Sequence, residues 1–343
     1  MDHATTYHPI VEKIDYLAGT STGGINAGLL AMPSDENPHK PKYTAGDIVK
    51  LFEERGKDIF TKKLLSLKGL RSSKYKRKGL DAIVEEYARH KPLCSDGVVR
   101  TKLSDIRTAR VVLTSFEMQS MQPLIFDSSK AMRKSKYDWF LADAIRATTA
   151  APSYFKPVKI WNVKGTQSSI CLDGAMVANN PAQIALSYSQ QEFKEAEPFV
   201  ISIGTGKKNV SHELSDLEKS GLLDFARIVP EILMSGASGS VEQLLEKRLG
   251  EERYIRLQTF LKKASAAMDD VSKKQIKALK LDALQTIKDR HADLGKVIEI
   301  LKNRAPVRER CIEIGSSPSP SPRSHVRRVS SGLGKFKSSY FHS

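Results

Sequence analysis

The sequence predicts an α/β fold with a mostly parallel sheet. Three observations carry that expectation. Short apolar runs, chief among them Arg110–Phe116 (RVVLTSF) and Phe199–Ile203, have the composition of buried strands. Segments of helical periodicity alternate with them from Ile14 to Asn303. The first strand, Ile14–Ala18, runs through a glycine-framed turn straight into a helix that ends near Met32. Apolar residues form 40% of the 343-residue chain, enough for a real core and too many for wholesale disorder.

In chain order, Thr5–Glu12 reads as a connector or helix end leading into the first strand. Pro33–Pro41 holds three prolines and is a loop. Thr44–Lys57 spaces Ile48, Val49, Leu51 and Phe52 as a helix does, and Leu80–Arg89 is the next helix. Val98–Ser104, Arg110–Phe116 and Pro123–Phe126 are strand candidates. A helix over Trp139–Thr149 stops before Pro152, and the stiff loop Ala150–Pro157 follows. Val158–Trp161 and Ser168–Leu172 flank Lys164-Gly165 as a hairpin that ends in Asp173-Gly174-Ala175. Asn180 as N-cap and Pro181 at the first helical position open a helix to about Lys194. After the strand Phe199–Ile203 come a long helix over Leu222–Leu249 and a late edge strand at Tyr254–Gln258. The last element is an amphipathic helix over Ser272–Asn303, lysine-rich on its polar side. No repeat is present. Residues 1–305 read as one domain, and residues 306–343, rich in Ser, Pro, Arg and Lys, as a disordered basic tail.

No run of about 18 apolar residues predicts a membrane span, and Met1–Tyr7 lacks the basic and apolar regions of a signal peptide. Three scattered cysteines, Cys94, Cys171 and Cys311, argue against a disulfide framework and against a zinc site. The expectation is an intracellular, cytoplasmic protein with no cofactor and no metal. The net charge of +16 asks for an anionic partner. Lys62–Lys78 concentrates it, with leucines interleaved, no acid and one aromatic, Tyr75. That pattern suits an anionic membrane surface, with the basic tail as a second contact, better than a base-stacking platform, so no nucleic acid is expected. A solvated loop is the plain alternative.

Gly19-Thr20-Ser21-Thr22-Gly23 between a strand and a helix has the form of a nucleophile elbow, G-x-S-x-G. Ser21 is the candidate nucleophile, set at a helix N-terminus whose free N–H groups favour negative charge. A Ser–Asp–His order leaves His212, His291, His325 and His342 as bases, all in polar or charged surroundings and none at a strand end. Asp173 stands at the end of an apolar strand, where ligands bind in open α/β sheets, and a desolvated carboxylate there is able to take the serine proton. Asp173-Gly174 also fits a simple turn.

Gly19–Gly24 together with Asp173-Gly174-Ala175 resembles the patatin-like phospholipase family, lipid acyl hydrolases that use a Ser–Asp dyad. Ala147–Pro152 (ATTAAP), Asn179–Pro181, Ser202–Gly206, Arg253–Gln258 and Met268–Asp270 match in the family's order, over about Ile10 to Asn303. The resemblance implies a three-layer α/β/α sandwich, Ser21 as nucleophile and Asp173 as its base. Gly19, Thr22, Gly23, Gly174 and Ala175 would be motif and oxyanion residues, and an acyl lipid, phospholipid or glyceride, the substrate of a calcium-independent hydrolysis. It also implies a glycine-rich oxyanion loop, D-G-G-G-x-[RK]-G, on a strand ahead of the elbow, and that pattern is absent from this sequence. Two expectations follow: an acyl hydrolase whose first strand and oxyanion loop lie outside this chain, or an impaired member that binds lipid.

Overall fold

The computed structural model describes residues 10–61, 73–91, 97–207 and 222–304. Most of the basic segment Lys62–Lys78 and the whole tail lie outside the described residues, as does the start of the Thr5–Glu12 connector, whose end is a single 3-10 turn at Ile10–Lys13. Strand β1 (Tyr16–Gly19) leads into α1 (Thr22–Leu30). Helix α2 (Ala45–Ile59) starts at Thr44, whose hydroxyl accepts the Asp47 N–H while the Asp47 carboxylate accepts the Thr44 N–H, a reciprocal cap. Then come α3 (Lys78–Tyr87), the short pair β2 (Arg89–His90) and β3 (Val99–Arg100), β4 (Arg110–Glu117), β5 (Gln122–Asp127), α4 (Ser128–Arg133) and α5 (Leu141–Thr148). The second half holds β6 (Val158–Trp161), β7 (Ser168–Asp173), α6 (Ala182–Glu192), β8 (Val200–Ile203), α7 (Leu222–Leu249), β9 (Tyr254–Leu257), α8 (Lys273–Asp289) and α9 (His291–Lys302).

Strand β4 is the axis of a five-stranded sheet, and Val111 through Ser115 are buried on both of its faces. Strand β1 runs parallel along its first half, with Tyr16 opposite Arg110 and Gly19 opposite Leu113. Strand β7 runs antiparallel along its second half, with Asp173 opposite Ser115. Strand β5 pairs with β4 over Val112–Glu117 and so takes the opposite edge. The C-terminal ends of β1 and β7 therefore meet head to head beside Leu113 and Ser115. Parallel pairing occurs where a helical crossover joins the strands, at β1–β4 and at β8–β9. The pairs β4–β5 and β6–β7 are closed by tight turns, with Met121 and Gly165 at positive φ, and a tight turn returns a strand antiparallel. The α/β class holds, and the sheet is mixed.

Leu17, Val111 and Leu113 face the main core, which α1, α2, α3 and α5 close with Ile25, Leu29, Leu51, Ile83 and Ile145. On the other face Tyr16 donates to Glu192 at 2.6 Å and the Arg110 guanidinium to the same carboxylate at 2.9 Å, fastening α6. A smaller cluster of Leu186, Leu245, Leu249 and Tyr254 joins α6 and α7 to the β8–β9 pair. This is the three-layer arrangement.

Two expectations are corrected, and one helix was not anticipated. Only Val99–Arg100 of Val98–Ser104 is strand, because the chain turns at Leu103–Asp105, where Asp138 accepts both the N–H and the hydroxyl of Ser104. Helix α4, which six residues are too few to show by periodicity, is started by the Asp127 carboxylate on the Ser129 N–H. The helix over Ser272–Asn303 is two helices, broken at Arg290.

Candidate functional site

The elbow forms because Gly19 lets two turns of backbone touch: a Cβ at this position would lie 2.1 Å from the Gly23 carbonyl oxygen. A Gly19→Ala variant is expected to lose about 1–3 kcal/mol of stability in urea denaturation, through displacement of backbone and not of a flexible side chain. Ser21 sits at φ 53°, ψ −124°, a conformation that costs a non-glycine residue on the order of 1–3 kcal/mol. Its carbonyl accepts the N–H groups of Gly24 and Ile25, and its own N–H donates to Thr148 Oγ1 at 2.9 Å. The Thr20 hydroxyl donates to the Ala178 carbonyl at 2.7 Å and lies 2.8 Å from the Thr114 hydroxyl. The strained turn is thus held from β4, from the end of α5 and from the segment after Asp173.

Ser21 Oγ donates to Asp173 Oδ2 at 2.7 Å, across 152 residues of sequence. Oδ1 of the same carboxylate accepts the Ala175 N–H at 2.8 Å, and the Asp173 N–H donates to the Ala150 carbonyl at 3.0 Å. Gly174 packs so closely on β4 that a Cβ would lie 2.2 Å from the Thr114 carbonyl oxygen. Asp173 is 2% exposed, and burial pushes its carboxyl up to about 6, against the lowering effects of the Ala175 N–H, the Ser21 hydroxyl and the Arg77 charge.

The structure places Ser21, Thr22 and Gly23 beside Asp173, Gly174 and Ala175, with Gly19 packed against Gly23. Thr22 and Gly23 open α1, where backbone N–H groups have no acceptor within the helix. Of the four histidines weighed as bases, only His291 is described, and it lies exposed at the start of α9. No D-G-G-G run occurs anywhere in the sequence. Among the described residues no group of three His, Cys, Asp or Glu side chains converges for a metal, and no helix is long and apolar enough to cross a membrane.

The residue that sequence reading missed is Arg77, counted there among the surface charges of the basic segment. Its backbone follows a run tied down at Lys74 and Tyr75 by the carbonyls of Ser153 and Tyr154, and at Lys76 by that of Thr61. The side chain turns inward. Nε donates to Asp81 at 2.9 Å, Nη2 to the Arg146 carbonyl at 2.6 Å, and the guanidinium lies 5.8 Å from the Phe155 ring centre. Nη1 is buried without a hydrogen-bond partner, and the Arg77 and Asp173 charges act on each other. Nothing in one-dimensional spacing separates this arginine from the lysines around it.

A strand–elbow–helix unit with a buried carboxylate on its serine defines a class before any comparison is made: an α/β protein with a serine at a strand-to-helix elbow. The model of the patatin-like phospholipase family matches residues 3–186, and this chain belongs to that family. It is 28% identical over 259 residues to "Probable inactive patatin-like protein 9" of Arabidopsis thaliana, covering 73% of this chain and 65% of the relative. It is 25% identical to "Patatin-like protein 6" of the same plant, over 73% of this chain and 51% of that protein. It is 27% identical to "Patatin-like protein 2" of Oryza sativa, over 78% and 72%. The chain thus spans about half to two thirds of the length of the first two of these relatives. VipD of Legionella pneumophila aligns at 10% identity over 86% of this chain and 62% of its own, with a TM-score of 0.32, a likeness too slight to define a fold.

Proposed function

We propose that this chain is the catalytic portion of a lipid acyl hydrolase that cleaves carboxylic esters through a Ser21–Asp173 dyad. The observation that carries the reading is the 2.7 Å hydrogen bond from a serine held at positive φ to a buried carboxylate. Ser21 Oγ attacks the acyl carbonyl carbon as its proton passes to Asp173 Oδ2. The negative charge that develops on the carbonyl oxygen meets the N–H of Thr22 at the α1 N-terminus. The C–O bond to the lysolipid or glyceride alcohol breaks, and that alcohol leaves with the proton from Asp173. Water, deprotonated by the same carboxylate, then releases the fatty acid from Ser21.

Asp173 must be ionised to accept the proton, so the rate rises with pH through about 6, the value to which burial pushes this carboxyl. The Arg77 charge holds this carboxyl lower than burial alone would put it. An Arg77→Gln variant is expected to move the acid limb of the pH–rate profile to higher pH, measured with a soluble p-nitrophenyl ester, while the alkaline plateau falls less. An unmoved acid limb would remove Arg77 from the site's electrostatics.

The direct test is covalent labelling. A fluorophosphonate probe is expected to label the chain and to fail with Ser21→Ala. A second reading is favoured by the name of the Arabidopsis relative, "Probable inactive patatin-like protein 9": a family member that binds lipid with little turnover. Saturable binding of a fatty-acyl ligand without labelling or hydrolysis would select it. Association with an anionic membrane surface through Lys62–Lys78 and the tail belongs to either reading.

A further inference from the structure

Helix α8 is mounted the wrong way round for a helix of a soluble domain. It docks through polar side chains and turns its leucines outward. On the inner side the Asp282 carboxylate accepts the N–H groups of Lys262, Lys263 and Ala264 at 2.9–3.1 Å. Gln275 exchanges two hydrogen bonds with the Ser265 backbone, and Thr286 bonds the Thr259 hydroxyl at 3.0 Å. Positions 275, 282 and 286 lie on one face of a 3.6-residue helix. On the other face Leu284 is 53% and Ile287 51% exposed, with Leu281 beside them. Exposed Lys273, Lys277 and Lys288 share this outer face and lie between the aliphatic tips. Residues 273–288 contain five lysines and one acid, and the acid is the inward Asp282. Lys280 is engaged with Glu53 of α2, which pins the helix to the body of the domain.

We infer that the outer face of α8 docks this protein on an anionic lipid bilayer, with Leu281, Leu284 and Ile287 entering the acyl boundary and the lysines of the same face meeting headgroup phosphates. The shape and the charge both point to that occupant. An exposed helix face of aliphatic tips interleaved with long cationic stems matches the interface between headgroups and acyl chains. Nucleic acid rewards the lysines and leaves the leucines in water. A second copy packed on this face by a twofold axis would set lysine against lysine. The inference makes no use of Ser21 and stands whether or not Ser21 turns over. The variants below leave the sequence of Lys62–Lys78 and of the tail unchanged.

The test uses the full chain with vesicles of phosphatidylcholine alone and of phosphatidylcholine with phosphatidylserine. Sedimentation with the phosphatidylserine vesicles is expected, weakening as salt is raised. Leu284→Glu with Ile287→Glu, and separately Lys273→Glu with Lys277→Glu, are each expected to weaken binding on the order of tenfold or more. Thermal stability and hydrolysis of a soluble ester should not change, because both pairs are exposed. Leu284→Trp supplies a readout that does not depend on loss: its fluorescence should shift to the blue and be quenched by brominated lipid. Both charge variants binding vesicles like the wild type would overturn the inference and leave the basic segment and tail as the membrane contacts. Three other outcomes would also overturn it: no vesicle binding by the wild type, a dimer in analytical ultracentrifugation that Leu284→Glu with Ile287→Glu dissociates, or oligonucleotide binding lost only in the lysine variant.

Discussion

Replacing Ser21 by alanine is expected to lower ester hydrolysis by at least about 10³-fold, and to abolish fluorophosphonate labelling, with little change in stability. The rate falls because Oγ is the atom that forms the new bond, and Cβ of alanine has nothing to offer in its place. Stability stays because the supports of the elbow act on backbone: the Ser21 N–H still reaches Thr148, and its carbonyl still receives Gly24 and Ile25. Alanine keeps the same positive φ and the same strain. One interaction is lost, the hydroxyl on Asp173, which takes away a hydrogen bond that favours the carboxylate. A variant that keeps its melting temperature and loses labelling assigns the chemistry to this hydroxyl. Hydrolysis that survives the substitution rejects the nucleophile.

Asp173→Asn is expected to lower the rate by about 10²–10⁴-fold and at the same time to stabilise the protein above neutral pH. The sign follows from the ionisation. Burial pushes the folded carboxyl from 3.8 up to about 6. Between those values the folded protein holds a proton that the unfolded chain has released, so stability falls as pH rises through that window. Above about 6 the folded protein carries a desolvated charge at a cost on the order of 3 kcal/mol, while below about 4 both states are protonated and the cost vanishes. Asparagine keeps an acceptor for the Ala175 N–H and removes the charge. Denaturant titrations should therefore show a gain on the order of 1–3 kcal/mol at pH 8 and close to none at pH 4. Equal stability at both pH values would mean that Asp173 is solvated in the folded protein, and would take away the reason it serves as a base without histidine.

Much of the local structure was legible because it is local. The β4 run, the Thr44 start of α2 and the hairpin around Lys164-Gly165 depend on residues within a few positions of one another. Helix α6 was found from Asn180-Pro181, and Asn180 Oδ1 does accept the Ala182 N–H there. The failures were equally physical. The six residues of α4 are fewer than two helical turns, so no period can emerge, and the break at Arg290 carries neither proline nor glycine to announce it. The orientation of α8 was invisible for a different reason. Periodicity marks the apolar side of a helix, and only the hydrogen bonds of Asp282 and Gln275 reveal which side faces the domain.

The sequence by itself determined the elbow, the Asp-Gly-Ala turn, the family and the surplus of positive charge, since each is written in residue type and short spacing. The tertiary structure alone decided how Ser21 reaches Asp173. Strands β1 and β7 run in opposite directions along one edge of β4, so their C-terminal ends converge beside Leu113 and Ser115 and bring together residues 152 positions apart. It alone turned Arg77 inward to Asp81 and the Arg146 carbonyl, and it set the leucines of α8 in water. Pairing register and side-chain direction depend on what lies across the sheet or beneath the helix, and no window along the chain contains that information.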